Sequence, residues 1–96
     1  MGLYVLIGRD GADGLAKRKL HREAHLANLR PLASTGRVRY AGPLLDETEQ
    51  PCGSVIVFEA ESLKAARDFA AKDPYVVQGI FERWEVFGGM QVFPES

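Results

Sequence analysis

The sequence lacks most of the features that would assign a function on inspection. Among its 96 residues there is one cysteine, Cys52, so no internal disulfide forms and the chain suits a reducing, cytoplasmic setting. Cys52 sits between Pro51 and Gly53 with no His or Asp beside it, which reads as an inert turn residue and not a nucleophile. No apolar run approaches the ~20 residues that span a bilayer, so no membrane segment is expected. The opening Met1-Gly2-Leu3-Tyr4-Val5-Leu6-Ile7 has no basic leader and reads as a strand, not a signal peptide. Positive charge is not in excess. The formal net charge is −1, which gives no footprint for nucleic acid or acidic lipid. Lys17, Arg18, Lys19 and Arg22 do cluster, but Asp10, Asp13 and Glu23 surround them, as on a solvated helix face.

Other motifs fail on their spacing. Gly11-Ala12-Asp13-Gly14 has neither the G-x-G-x-x-G pattern nor the P-loop lysine and is read as a loop. His21 and His25 stand i, i+4, as metal ligands on a helix can. Glu23 is misplaced for H-E-x-x-H, however, and Arg22 between the histidines disfavours a cation. No metal and no cofactor are expected. There is no RNP-like pattern for RNA, and no repeat or linker divides the chain. Residues 1–96 form one domain with a single modest core.

What is present is a regular alternation of elements. Leu3 to Gly8 is a continuous apolar run that suits a strand buried on both faces. Leu15 to about Ala33 is rich in helix formers, with Pro31 expected to distort the last turn or begin a short new one, and Gly36 to stop it. Val38 to Leu45 alternates as a second strand, with Pro43 at a bulge, edge or end. Asp46 to Gly53 is a polar turn and Ser54 to Glu59 a third strand, paired with the second as a hairpin. Ser62 caps a second helix through Lys72, closed by Asp73-Pro74. Phe81 to about Phe87 is a fourth strand, followed by a Gly88-Gly89 break and a short extended tail.

The order β-α-β-β-α-β is the ferredoxin-like split βαβ arrangement, an α+β fold. Right-handed crossovers place both helices on one face of a four-stranded antiparallel sheet. The strands are nevertheless apolar on both faces: Leu3, Val5 and Ile7 against Tyr4 and Leu6, and Val55 and Val57 against Ile56 and Phe58. The uncovered apolar face implies an interface, and a two-fold homodimer packed sheet on sheet is the simplest cover.

Plotted at 100° per residue, Leu15, Leu26, Leu29, Leu32 and Ala33 form the stripe of the first helix that should meet the sheet. Arg22 and His25 fall inside that stripe, with Arg18 beside them. Charged groups are seldom buried without partners, so these either have structural partners or line a cavity. Asp73, ending the second helix on the same face, is the natural partner of His25. A carboxylate on one imidazole nitrogen fixes the tautomer and raises the basicity of the other, which makes a general base or acid near neutral pH. The alternative is that Asp73 only caps backbone in an Asp-Pro turn.

These residues also occur in a familiar order. Arg22-x-x-His25-Leu26-x-x-Leu29, Ala41-Gly42-Pro43-Leu44, Gly53-Ser54, Glu59-Ala60-x-Ser62-Leu63-x-Ala65-Ala66 and Asp73-Pro74-Tyr75 resemble the YCII-related (YciI-like) family over nearly the whole chain. His21 matches no family feature. The resemblance implies a single domain of the dimeric α/β barrel type. It also implies a catalytic pair, His25 and Asp73, in a pocket near the dimer interface. It carries Arg22 over as a neighbouring group, Gly42 and Pro43 as a backbone-lined pocket wall, and Ser54 as a polar position. The expected function is a small-molecule enzyme of isomerase, lyase or hydrolase type that moves a proton with the His-Asp dyad. In it Arg22 binds or polarises an anionic oxygen of the ligand. The rival is a non-catalytic dimeric ligand-binding or accessory module with a structural His-Asp pair. A heme-handling monooxygenase, as in other dimeric α/β barrel families, is a third reading.

Overall fold

The computed structural model describes residues 1–95. It runs β1 (Gly2–Asp10), α1 (Gly14–Ser34), β2 (Val38–Leu45), β3 (Pro51–Ala60), α2 (Leu63–Ala71), α3 (Pro74–Val77) and β4 (Phe81–Gly89). The strands lie in the order β2-β3-β1-β4, every neighbour antiparallel. This is the expected α+β, ferredoxin-like architecture, with the single helical turn α3 added to it.

Side-chain alternation along the strands divides the sheet into two faces. Leu6 stands opposite Ile56 on one side and Val86 on the other. All three are buried, with Phe58, Ala66, Ala70 and Leu29 completing the main core under the helices. Ala66 and Ala70 lie one turn apart on α2, and their small side chains let that helix approach the sheet closely. Ser62 caps α2 as expected, its Oγ accepting from Ala65 N–H at 3.0 Å. The opposite face carries Leu3, Val5, Ile7, Val55 and Val57, all only half-buried, with Tyr40 and Phe87 exposed. Among the described residues no helix is long and apolar enough to cross a membrane.

Four local expectations are corrected. β3 begins at Pro51, so Cys52 lies in the strand, half-buried, and not in a turn. The turn before it is short because Asp46 Oδ1 accepts from Thr48 N–H at 2.8 Å, Thr48 Oγ1–H at 2.8 Å and Gln50 N–H at 3.1 Å. The Thr48 hydroxyl, followed by the Gln50 and Thr48 amides, holds the Asp46 carboxyl below its usual range. β4 continues through Gly88 and Gly89, which pair with Tyr4 and Leu3; the ladder overrides the weak strand preference of glycine. Pro31 lies inside α1 without ending it. It removes one backbone donor near the helix end, on an exposed stretch where water can take the freed carbonyl.

The fourth correction concerns which side of α1 meets the core. Its buried residues are Gly14, Arg18, His25 and Leu29, a line turned away from the expected leucine stripe. Leu15 is 44% exposed, Ala33 and Arg22 are exposed, and Leu26 and Leu32 are half-buried. Arg22 is therefore not on the buried side of the helix. Arg18 and His25 take the central line because each donates to a carboxylate, so their polar atoms are paired there.

A second small cluster, Tyr75, Ile80 and Phe81, closes the end of the domain near α3. Phe81 lies flat over Gly8, where a Cβ would stand 2.5 Å from the Phe81 ring. Gly8→Ala should therefore displace Phe81 and destabilise the fold by about 1–3 kcal/mol, the usual cost of overpacking. Urea denaturation of the variant checks this; an unchanged midpoint would show that the ring moves aside freely.

Candidate functional site

The site is built outward from Asp73. Preceding Pro74, this residue is held in extended backbone (φ −61, ψ 130), as the steric bulk of a following proline requires. Its side chain then turns back to cap α3, with Oδ1 accepting from Tyr75 N–H at 2.8 Å. The same oxygen lies 2.8 Å from His25 Nδ1. Asp73 is 0% exposed and His25 8%. Oδ2 is buried with no hydrogen-bond partner among the described residues.

A carboxylate oxygen accepts, so Nδ1 of His25 must carry the proton and donate it. That leaves Nε2 as the basic nitrogen of the neutral ring. His25 lines a cavity of about 420 Å³ between α1 and the β2–β3 half of the sheet. Nε2 has no hydrogen-bond partner among the described residues, and with Nδ1 committed to Asp73 it is the atom left for a ligand.

The imidazole is also held by stacking. Tyr75 lies parallel to it, ring centroids 3.9 Å apart and 4° between planes. Phe81 meets Tyr75 edge-on at 5.8 Å, and Gly8 gives Phe81 its place. Tyr75 also donates its hydroxyl to the Arg18 carbonyl at 3.4 Å. Burial pushes the Tyr75 phenol above its usual range, while the charges of Arg18 and Arg22 pull the other way. It is a neutral donor at physiological pH.

Arg18 occupies the inner wall. Its Nε and Nη2 meet Asp10 Oδ2 at 2.6 Å and Oδ1 at 2.9 Å, and Nη2 donates to Ser54 Oγ at 3.0 Å. This paired, forked geometry orients a guanidinium more firmly than a single contact can. Its carbon sits 5.0 Å from the Tyr75 ring centre. Gly14 makes room for the pair, since a Cβ there would lie 2.7 Å from Asp10 Oδ2.

The structure thus brings His25, Arg22, Gly42, Pro43 and Ser54 to the lining of one cavity, with Asp73 directly behind His25. Arg22 stands at the mouth and not in the buried stripe. His21 is not part of the lining, and among the described residues no three His, Cys, Asp or Glu side chains gather as metal ligands would. Sequence reasoning gave no site role to Asp10, Lys19, Gln50 or Tyr75, and placed Arg18 only beside the stripe. The spacing Gly14, Arg18, His25 carried a signal for Arg18, because these positions share a helix face. Nothing in the sequence ties Asp10 at the end of β1 to Arg18 on α1.

The family profile of the YCII-related domain matches residues 2–89. The chain is 41% identical over 97 residues to protein YciI of Escherichia coli O6:H1, covering 95% of this chain and 99% of that one. It is 30% identical to fusaric acid biosynthesis protein 2 of Gibberella fujikuroi, covering 95% and 89%. Among solved structures it resembles the 5-chloro-2-hydroxyhydroquinone dehydrochlorinase TftG of Burkholderia phenoliruptrix, in complex with 2,5-dihydroxybenzoquinone. That match has a TM-score of 0.80 at 28% identity, over 92% of this chain and 93% of that one. The shared fold is the protomer architecture of the dimeric α/β barrels, and the chain belongs to the YCII-related domain family.

Proposed function

We propose that the protein is an enzyme that moves a proton on a small organic molecule, with His25 Nε2 as the base and acid and Asp73 as the group that orients it. The observation that carries this reading is the 2.8 Å contact between Asp73 Oδ1 and His25 Nδ1 at the wall of an otherwise largely apolar cavity. Asp73 holds the ring in one tautomer and stabilises the imidazolium formed when Nε2 takes a proton. Stacking on Tyr75 restricts ring rotation, so the base meets the ligand in a fixed orientation. Elimination and isomerisation are the reactions this arrangement serves most directly, and the naming of the TftG neighbour as a dehydrochlorinase supports that choice. Deuterium exchange from D2O into acidic C–H positions, followed by NMR across a panel of phenolic and enolisable compounds, tests the assignment. His25→Ala should slow exchange of any responsive compound by roughly 10²–10⁴-fold, the usual share of a general base. If His25→Ala keeps the wild-type rate but melts many degrees lower, the pair is structural and the protein a binding module.

The reading includes a two-fold homodimer through the open sheet face and a cytoplasmic location. Half-buried Val5, Ile7, Val55 and Val57 beside exposed Phe87 and Tyr40 support the dimer, since a contiguous apolar sheet face favours pairing with a copy of itself. The single free Cys52 supports the location. Light scattering after gel filtration should give twice the chain mass for the wild type and a monomer for Val57→Glu. A monomeric wild type at micromolar concentration would rule the dimer out.

A further inference from the structure

The charges around the cavity are one-sided. α1 sends Arg18, Lys19 and Arg22 to its lining, and among the described residues no Asp or Glu side chain lines it. Asp10 compensates Arg18, but it engages only Nε and Nη2. Nη1 makes no hydrogen bond among the described residues. Lys19 and Arg22, one turn apart at the mouth, make neither an ion pair nor a side-chain hydrogen bond among the described residues. Glu23 does not compensate them, since its carboxylate lies 3.7 Å from Arg30. In a chain of net charge −1, two uncompensated cations therefore stand over a third that presents a free nitrogen. Between them the wall is apolar, from Leu15, Leu26, Pro43 and Ile56.

We infer that the cavity takes a small organic acid with two separate oxygen functions, an anionic group held at the mouth by Lys19 and Arg22 and a carbonyl or hydroxyl oxygen held inside by Arg18 Nη1. The inference rests on the proton-transfer reading and names its substrate class. An apolar body suits the wall. An inner oxygen supplies an acceptor for the Arg18 Nη1 N–H groups, which no protein group engages among the described residues. A hydrogen bond to a charged donor is stronger than one to a neutral donor. The mouth charges attract the anion over a distance limited by salt screening. In the reaction, a C–H bond next to the inner carbonyl breaks and its proton passes to His25 Nε2. The electron pair forms a carbon–carbon double bond, and the carbonyl oxygen becomes an enolate oxygen facing Arg18. Return of the proton to another carbon of the conjugated system re-forms the carbonyl and gives an isomer. In elimination the enolate re-forms the carbonyl, and its double-bond pair moves to a new carbon–carbon double bond. The leaving group departs with its own bonding pair, and His25 passes the proton to that group or to solvent.

The test compares salicylate with salicylamide, which has the same ring and hydroxyl but no charge, by NMR titration of the full chain. Salicylate should bind roughly tenfold or more tightly, and the preference should shrink as salt rises. The double variant Lys19→Gln/Arg22→Gln should abolish it, while the charge-matched control Arg67→Gln/Lys72→Gln, neither residue lining the cavity, should keep it. Both pairs are exposed, so folding is not at issue. Asp10→Asn/Arg18→Gln, which removes the inner guanidinium and its counter-ion together, should weaken salicylate in a protein that still melts cooperatively. Equal affinity for the two probes, or a preference that survives Lys19→Gln/Arg22→Gln, overturns the inference. His25→Ala should retain the preference. Salicylate selectivity in a protein with no exchange activity would therefore sink the enzymatic reading while the acid-binding site stands.

Discussion

Asp73 is the group around which the molecule is arranged. A carboxylate withdrawn completely from water needs protein donors in place of solvent. Here His25 Nδ1–H and Tyr75 N–H both converge on Oδ1, while Oδ2 has no partner among the described residues. Meeting that need fixes three elements together. α2 must end before Pro74, α3 must start at Asp73, and α1 must rotate until His25 faces the carboxylate. With α1 so turned, Leu15 and Leu26 flank a cavity and do not pack down on β2 and β3. The site is thus a consequence of how one buried charge is satisfied.

His25 and Arg18 are each held in place by neighbouring side chains. Asp73 and Tyr75 hold His25, Phe81 holds Tyr75, and the absent side chain at Gly8 seats Phe81. Asp10 and Ser54 hold Arg18, and the absent side chain at Gly14 admits Asp10. β1 supplies Gly8 and Asp10 to these two supports, so a central strand of the sheet helps to position both an imidazole and a guanidinium on the helix that carries them. Packing and hydrogen bonds of this kind restrict the rotamers of both side chains at the cavity wall.

Much of the fold was legible because it follows from periodicity and punctuation. Ser62, Asp73-Pro74 and the alternation of Val38–Leu45 marked their elements correctly, since caps, prolines and strand alternation act locally. The same local logic misplaced the start of β3, where the Asp46 side chain shortens the turn, and the end of β4, where pairing with β1 carries two glycines. The facing of α1 was misjudged for a different reason. A hydrophobic stripe locates the buried side only when burial is driven by apolar area, and in α1 two side chains paired with carboxylates outrank the leucines. The His25–Asp73 contact was legible as a possibility because both residues were out of place in sequence terms. The Asp10–Arg18–Ser54 constellation was not, because it joins the end of one strand, a helix and a third segment through tertiary contacts alone.

Asp73 fixes His25 as the Nδ1–H tautomer, with Nε2 left without a protein partner among the described residues. Long-range ¹H–¹⁵N NMR of the histidine rings, recorded above the imidazole titration range, reads this directly. His25 Nε2 should give the signal of an unprotonated ring nitrogen and Nδ1 that of a protonated one, and Asp73→Asn should mix or reverse the two. A proton found on Nε2 in the wild type, or a tautomer indifferent to Asp73→Asn, would contradict it.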